Sequence, residues 1–243
     1  MAFKTFDTYT LKARYYPTMI VIAPLCLVIL SLAAGRFDLL KSLAAAAISG
    51  LGLGLVMDQT GRDGGRNKEP RLFEQWCGKP STVYLRHRDS AINTPTKARY
   101  HKILGRLLPD LEMPSKDQEI KDPGRADEIF ASCADYLREI TRADHIRFPL
   151  VFQENCNYGF RRNLWGMRPA GVAISLVSTA VCGTLLFYEI RSGNESLLIK
   201  GVSTLICAVL SFLWIFRFNT RWVRIAADAY ARRLLEVCDS IRF

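Results

Sequence analysis

The chain has 243 residues, a formal net charge of +10 from 33 Lys and Arg against 23 Asp and Glu, and a mean hydropathy just above zero. That average conceals a partition. Apolar runs lie towards both ends and charge fills the middle, which excludes a uniformly soluble domain and predicts membrane segments flanking a polar block.

A short polar head carries Lys4, Lys12 and Arg14, and Tyr16 to Gly35 then contains no charged residue. Crossing roughly 30 Å of bilayer hydrocarbon takes about 20 mostly apolar helical residues, and this run meets that length. Pro17 falls in the expected first turn, where its missing N–H is harmless. Pro24 is tolerable at mid-span where neighbouring helices re-satisfy the freed carbonyl. After Arg36-Phe37-Asp38, a second apolar run extends from Leu39 to Met57, interrupted only by Lys41. Its Gly50, Gly52 and Gly54 allow close backbone approach, to the first span or to a second copy; packing within the chain is the simpler expectation.

From Asp58 to Arg168 no apolar run reaches membrane length. Gly61-Arg62-Asp63-Gly64-Gly65-Arg66 reads as a loop by its glycine content. A short helix is expected over Arg71 to Trp76, stopped by Gly78 and Pro80, and another from Ser81 to about Asp89. Thr94-Pro95 opens a helix to Leu108 with Tyr100, Ile103, Leu104, Leu107 and Leu108 on one stripe. Leu111 to Lys121 is charged and aperiodic, an expected loop. Asp122-Pro123-Gly124 launches a helix to about Ala143, with Ile129, Cys133, Tyr136, Leu137 and Ile140 on one side. No alternating β-branched run occurs, so a helical domain without a sheet is expected.

Pro149 to Trp165 reads as a helix leading into a third span, Pro169 to Tyr188, bracketed by Trp165 and Tyr188 as aromatic belts bracket spans. After the connection Arg191 to Ser196, a fourth run extends from Leu197 to Phe216, with Lys200 near enough to its end to snorkel. In the tail, Trp222, Ile225, Tyr230, Leu234, Val237 and Ile241 form an amphipathic stripe. The predicted fold is an all-α membrane protein: a hairpin over residues 1–57, a basic helical cytosolic domain over 58–168, a second hairpin over 169–216 and a cytosolic amphipathic helix over 217–243. Lys and Arg concentrate in the head, middle block and tail, so the positive-inside rule places both termini in the cytoplasm. The first run is longer than a signal core and lacks an Ala-x-Ala-like site, so no cleavable signal is expected.

The seven cysteines are scattered, with no Cys-x-x-Cys pair, so neither a disulfide framework nor a strong zinc pattern is expected. Cys133 lies on an apolar stripe and reads as a buried structural thiol. The glycine segment lacks phosphate-loop order. Asp38, Lys41, Asp58, Glu189 and Lys200 all fall at predicted span ends, which disfavours carboxylate-driven transport. Ser175, Ser178, Thr179 and Thr184 would have to line any pore, yet such hydroxyls more often join helices. A lipid-acting enzyme would need His87, His101 and Asp89 to converge. No catalytic residue, metal or cofactor is therefore assigned, and the chain is expected not to be an enzyme.

Two basic groups suit polyanions or lipid headgroups. One is Arg62, Arg66, Lys68 and Arg71; the other is Arg86, Arg88, Lys97, Arg99, Lys102 and Arg106. The simpler alternative is an ion-paired surface, since Glu69, Glu74 and Asp89 lie nearby. Arg161, Arg162 and Trp165 read as interface anchors before the third span.

GRDGGRNKEPRLFEQWCGKPSTVYLRHRD, with NYGFRRNLWGMRP before the third span, resembles small bacterial multi-pass membrane proteins of anti-phage defence cassettes. The resemblance implies an inner-membrane effector whose cytosolic part, once triggered, makes the spans perturb or permeabilise the membrane. It supplies no catalytic residues. The alternative is a non-enzymatic scaffold that tethers a cytosolic protein or nucleoprotein and docks it through the tail. The lipid bilayer, a cytosolic protein or nucleic acid, and a second copy of the chain are the candidate partners.

Overall fold

The structure, a computed structural model, describes residues 8–34, 38–193 and 196–241, with side-chain surroundings described everywhere among them except at 39, 42, 45 and 51–62. Lys4, the connection at Arg36-Phe37, Asn194 and Glu195, and the surroundings of Gly52, Gly54, Asp58 and Arg62 lie outside the described residues. In chain order the helices are α1 (Thr8–Ala33), α2 (Leu39–Gln75), α3 (Pro80–Val83), α4 (Thr94–Leu107), α5 (Lys116–Lys121), α6 (Pro123–Ala143), α7 (Pro149–Gly166), α8 (Arg168–Ser192), α9 (Leu197–Arg217) and α10 (Thr220–Glu236). No strand occurs among the described residues. The chain divides into two compact units, Met1–Glu69 with Gly159–Val223, and Pro70–Tyr158 with Arg224–Phe243.

In the first unit, α1, α8 and α9 are long and apolar enough to cross a membrane, and they pack on one another. Their composition is inverted relative to a water-soluble bundle. Ser175, Ser178, Cys182, Ser203, Cys207 and Ser211 are buried, whereas Val177, Phe187, Leu198, Leu205 and Phe212 are exposed. Lipid supplies no hydrophobic drive between helices, so small residues and short hydrogen bonds join them instead. Thr179 Oγ1 and Ser211 Oγ lie 3.1 Å apart across α8 and α9. The expected second span, Leu39 to Met57, is the first part of α2, and it is not among the three helices identified as long and apolar enough in the described residues. At Gly50, a Cβ would lie 2.8 Å from Cys26 Sγ, so this glycine is seated against α1.

Glycines 61, 64 and 65 do not form a loop; α2 runs unbroken through them to Gln75. It ends where Cys77 and Gly78 adopt positive φ and Gly78 N–H reaches back to Phe73 O at 2.8 Å. Lys200 does not snorkel either. It is 9% exposed and, with Ser196, donates to the Glu189 carboxylate across the α8–α9 connection. A buried charge is stable only when paired and hydrogen-bonded, and Glu189 is close enough to supply both.

The second unit is built from amphipathic helices. Asn93 and Asp122 side chains cap α4 and α6 by accepting Thr96 N–H and Arg125 N–H. The segment expected as a loop contains α5, started by a reciprocal capping box between Ser115 and Gln118. The helix expected from Ser81 to Asp89 stops after one turn, at Val83. Leu85, Leu104, Phe130, Cys133 and Leu137 form the core, closed by Ala231, Leu234, Leu235 and Val237 of the tail. Most of the tail's apolar stripe is thus internal, while Ile225 stays exposed.

Removing Arg224–Phe243 deletes several fully buried aliphatic side chains, and each large-to-Ala loss alone costs about 2–5 kcal/mol. Hydrogen exchange should show α4 and α6 losing protection in the truncated chain. Unchanged protection would make the tail peripheral.

Candidate functional site

At one end of the α1, α8 and α9 bundle, the backbone itself sets the problem. Pro17 has no N–H, so the Ala13 carbonyl four residues earlier has no helical donor. The chain widens there into a π-turn, Leu11–Tyr15, with Tyr16 N–H on Leu11 O. Asn163 of α7, 2% exposed, donates Nδ2–H to Ala13 O at 2.7 Å. Arg162 donates to Asn163 Oδ1 at 3.2 Å, which turns the amide NH2 towards α1, and its guanidinium also pairs with Glu69 at 3.2 Å.

A second π-turn, Leu213–Arg217, ends α9, and its carbonyls are satisfied one by one. Leu213 O accepts from Phe218 N–H, and Arg217 O from Asn219 N–H. Phe216 O accepts from Asn219 Nδ2 at 3.1 Å. Arg168, the first residue of α8, donates Nε–H to Trp214 O at 3.1 Å and Nη2–H to Ile215 O at 2.7 Å. Asn163 and Arg168 therefore hold the two π-turns from a single short stretch of chain.

Glycines bring that stretch close. A Cβ on Gly166 would lie 2.4 Å from Gly65 N, so α2 and the end of α7 meet backbone to backbone, and Lys68 Nζ donates to Gly166 O at 2.6 Å. A Cβ on Gly171 would lie 2.4 Å from the Trp214 ring. Val21, Leu164, Met167, Trp214, Phe218 and Trp222 fill the space between. In this collar the Arg161 and Arg217 guanidinium groups stand over the Trp222 ring, and Lys12, Arg66 and Arg221, close in sequence to its members, are exposed.

The basic residues read from sequence separate by environment. Lys68 and Arg162 belong to the collar, as does Arg161, which donates to Trp222 O at 3.0 Å. Trp165 is half-buried, and Arg66 and Arg71 are exposed on α2. In the second unit, Arg86 is buried in a two-bond pair with Asp127 at 2.7 Å. Lys97 is buried with its ammonium on Arg86 O and Asp89 O, and burial lowers its pKa. Arg99 pairs with Asp239 at 2.7 Å and Arg88 with Glu119 at 3.5 Å. Lys102 and Arg106 are exposed on α4.

These buried charges position the loop after α3. Glu119 of α5, 2% exposed, accepts His87 N–H at 2.6 Å. His87 and His101 lie 4.8 Å apart, but Nε2 of each faces a carbonyl, Pro114 O and Leu85 O respectively, at 2.8 Å. A carbonyl can only accept, so both rings carry the Nε2 proton. The Asp89 carboxylate caps Ala91 N–H at 2.9 Å. Beside the loop lies a depression of about 170 Å³, lined by Asn93, Thr96, Tyr100, Arg232 and Glu236 among others. Among the described residues no three His, Cys, Asp or Glu side chains gather as metal ligands. Burial pushes the Cys133 thiol up to about 11 and Cys238 to about 12, which leaves both unreactive near neutrality.

The sequence reading missed Arg168, Gly166 and Trp214, and gave Asn163 no structural role. Pro17 was expected in a first turn, where its missing N–H is harmless; the helix starts at Thr8 instead, so Pro17 lies inside it and the Ala13 carbonyl loses its α-helical donor. No family model, curated protein or solved structure matches the chain.

Asn163→Leu should leave Ala13 O without a donor and cost about 1–3 kcal/mol. Arg168→Met strands two carbonyls and should cost more. Melting of the full chain in detergent reads both, with Lys102→Gln as the unchanged control. His101 is kept below its ordinary pKa, chiefly by burial and further by Lys97 and His87. The unfolded chain therefore binds the proton first, so stability is present above about pH 6.5 and falls as pH drops below it. Melts at pH 7.5 and 5.5 should show that slope, and His101→Gln should flatten it.

Proposed function

We propose that the chain is a non-enzymatic effector of the bacterial inner membrane that perturbs or permeabilises the bilayer when its cytosolic part is triggered. In this reading four spans form two hairpins, with Leu39 to Met57 as the second, and both termini face the cytoplasm. The seating of Gly50 against Cys26 supports pairing of the first two spans.

The observation that carries the reading is the pair of π-turns held by Asn163 and Arg168. A π-turn contains one residue more than an α-turn. Reverting it shifts the following helix by about 100° and 1.5 Å. Releasing Asn163 and Arg168 would therefore rotate α1 and α9, changing which residues face the bundle interior. The chain crosses between the two units within α2, α7 and α10, so a signal received by the cytosolic helices reaches the collar along covalent paths. Such two-state elements are the physical basis of switching.

The alternative, a scaffold for a cytosolic protein or nucleic acid, draws on Lys102 and Arg106, which share an exposed side of α4. Leu234 and Val237 of the tail's stripe are taken up by the core, while Ile225 remains exposed for docking.

Inducible expression in bacteria should arrest growth and admit a membrane-impermeant dye, and Asn163→Leu should change the induction level at which this occurs. Intact membranes and normal growth at high expression would overturn the effector reading and favour the scaffold.

A further inference from the structure

The last turns of α9 carry Phe212 and Phe216, both exposed, with rings 4.8 Å apart. Charge begins directly after them. Arg217 and Arg221 are both exposed, and neither pairs with an acidic side chain among the described residues. The Arg217 guanidinium lies 5.3 Å from the Trp222 ring centroid, and that of Arg161 lies 5.0 Å from the same ring. Two cations on one indole stand within about 10 Å of each other, roughly a Debye length in 0.1 M salt, and Arg221 adds a third charge. Repulsion of this kind is relieved by an anion, and guanidinium groups match phosphate oxygens in geometry as well as charge.

We propose that Arg217 and Arg221, backed by the Arg161–Trp222 stack, bind the phosphate of an anionic membrane lipid whose acyl chains lie against Phe212 and Phe216. The step from exposed Phe to exposed Arg places the charges where a span leaves hydrocarbon, which selects a lipid phosphate over a soluble one. Arg161 contributes charge and fixes Trp222 through its bond to the Trp222 carbonyl. The inference rests on the reading of α9 as a span and is independent of permeabilisation.

The full chain, assembled in nanodiscs containing phosphatidylcholine and phosphatidylglycerol, is released and its retained lipids are counted by native mass spectrometry. Retention of phosphatidylglycerol over phosphatidylcholine is expected, falling about fivefold per arginine in Arg217→Gln and Arg221→Gln. Arg217→Lys should keep part of the preference and Lys121→Gln, at an exposed site with no binding role, all of it. Equal retention of the two lipids, or undiminished preference in the Gln variants, would overturn the proposal. So would loss of the preference in millimolar inorganic phosphate, which would identify a soluble-anion site. Failure to enter nanodiscs would instead remove the membrane reading itself.

Discussion

A carbonyl that loses its helical donor beside an apolar medium cannot turn to water and must find a donor in the protein. That necessity organises the collar. Pro17 orphans Ala13, the end of α9 leaves Trp214 and Ile215, and the donors come from Asn163 and Arg168. Both donors are short of reach unless their backbone comes close, which is why Gly65, Gly166 and Gly171 occupy contacts where a Cβ would overlap a neighbour. Proline, amide, guanidinium and glycine thus form one arrangement with one cause.

Charge follows the same logic in the second unit. Arg86, Lys97 and Glu119 are buried, and each is matched to a carboxylate, a carbonyl or an N–H of the loop after α3. Irregular backbone has no ladder to satisfy it, so helices α4, α5 and α6 each lend a side chain. Part of the chain's basic surplus is architectural as a result, and other basic residues, Arg66, Arg71, Lys102, Arg217 and Arg221 among them, are exposed.

The elements legible in advance were those with a long period, a long apolar run or a place directly before one: α1, α4, α6, α7, α8, α9 and α10. Those misread were decided by contacts that no local pattern encodes. Glycine has poor helix propensity, so Gly61 to Gly65 suggested a loop, yet in α2 Gly65 serves the crossing with Gly166. The Ser115–Gln118 capping box was present in the sequence, but α5 is too short to show periodicity. Lys200 lay close enough to a span end to snorkel, and only the fold places Glu189 and Ser196 around it.

Composition and order alone determined that the chain is helical and that it carries runs apolar enough to cross a membrane. These are properties of neighbours along the chain. That the first helix begins at Thr8, so that Pro17 lies inside it and leaves Ala13 without its α-helical donor, was shown by the structure. That Asn163, 150 positions away, meets this need was decided by tertiary structure. Hydrogen-bond partners across such a separation are chosen by how helices pack, and packing depends on all the contacting side chains together.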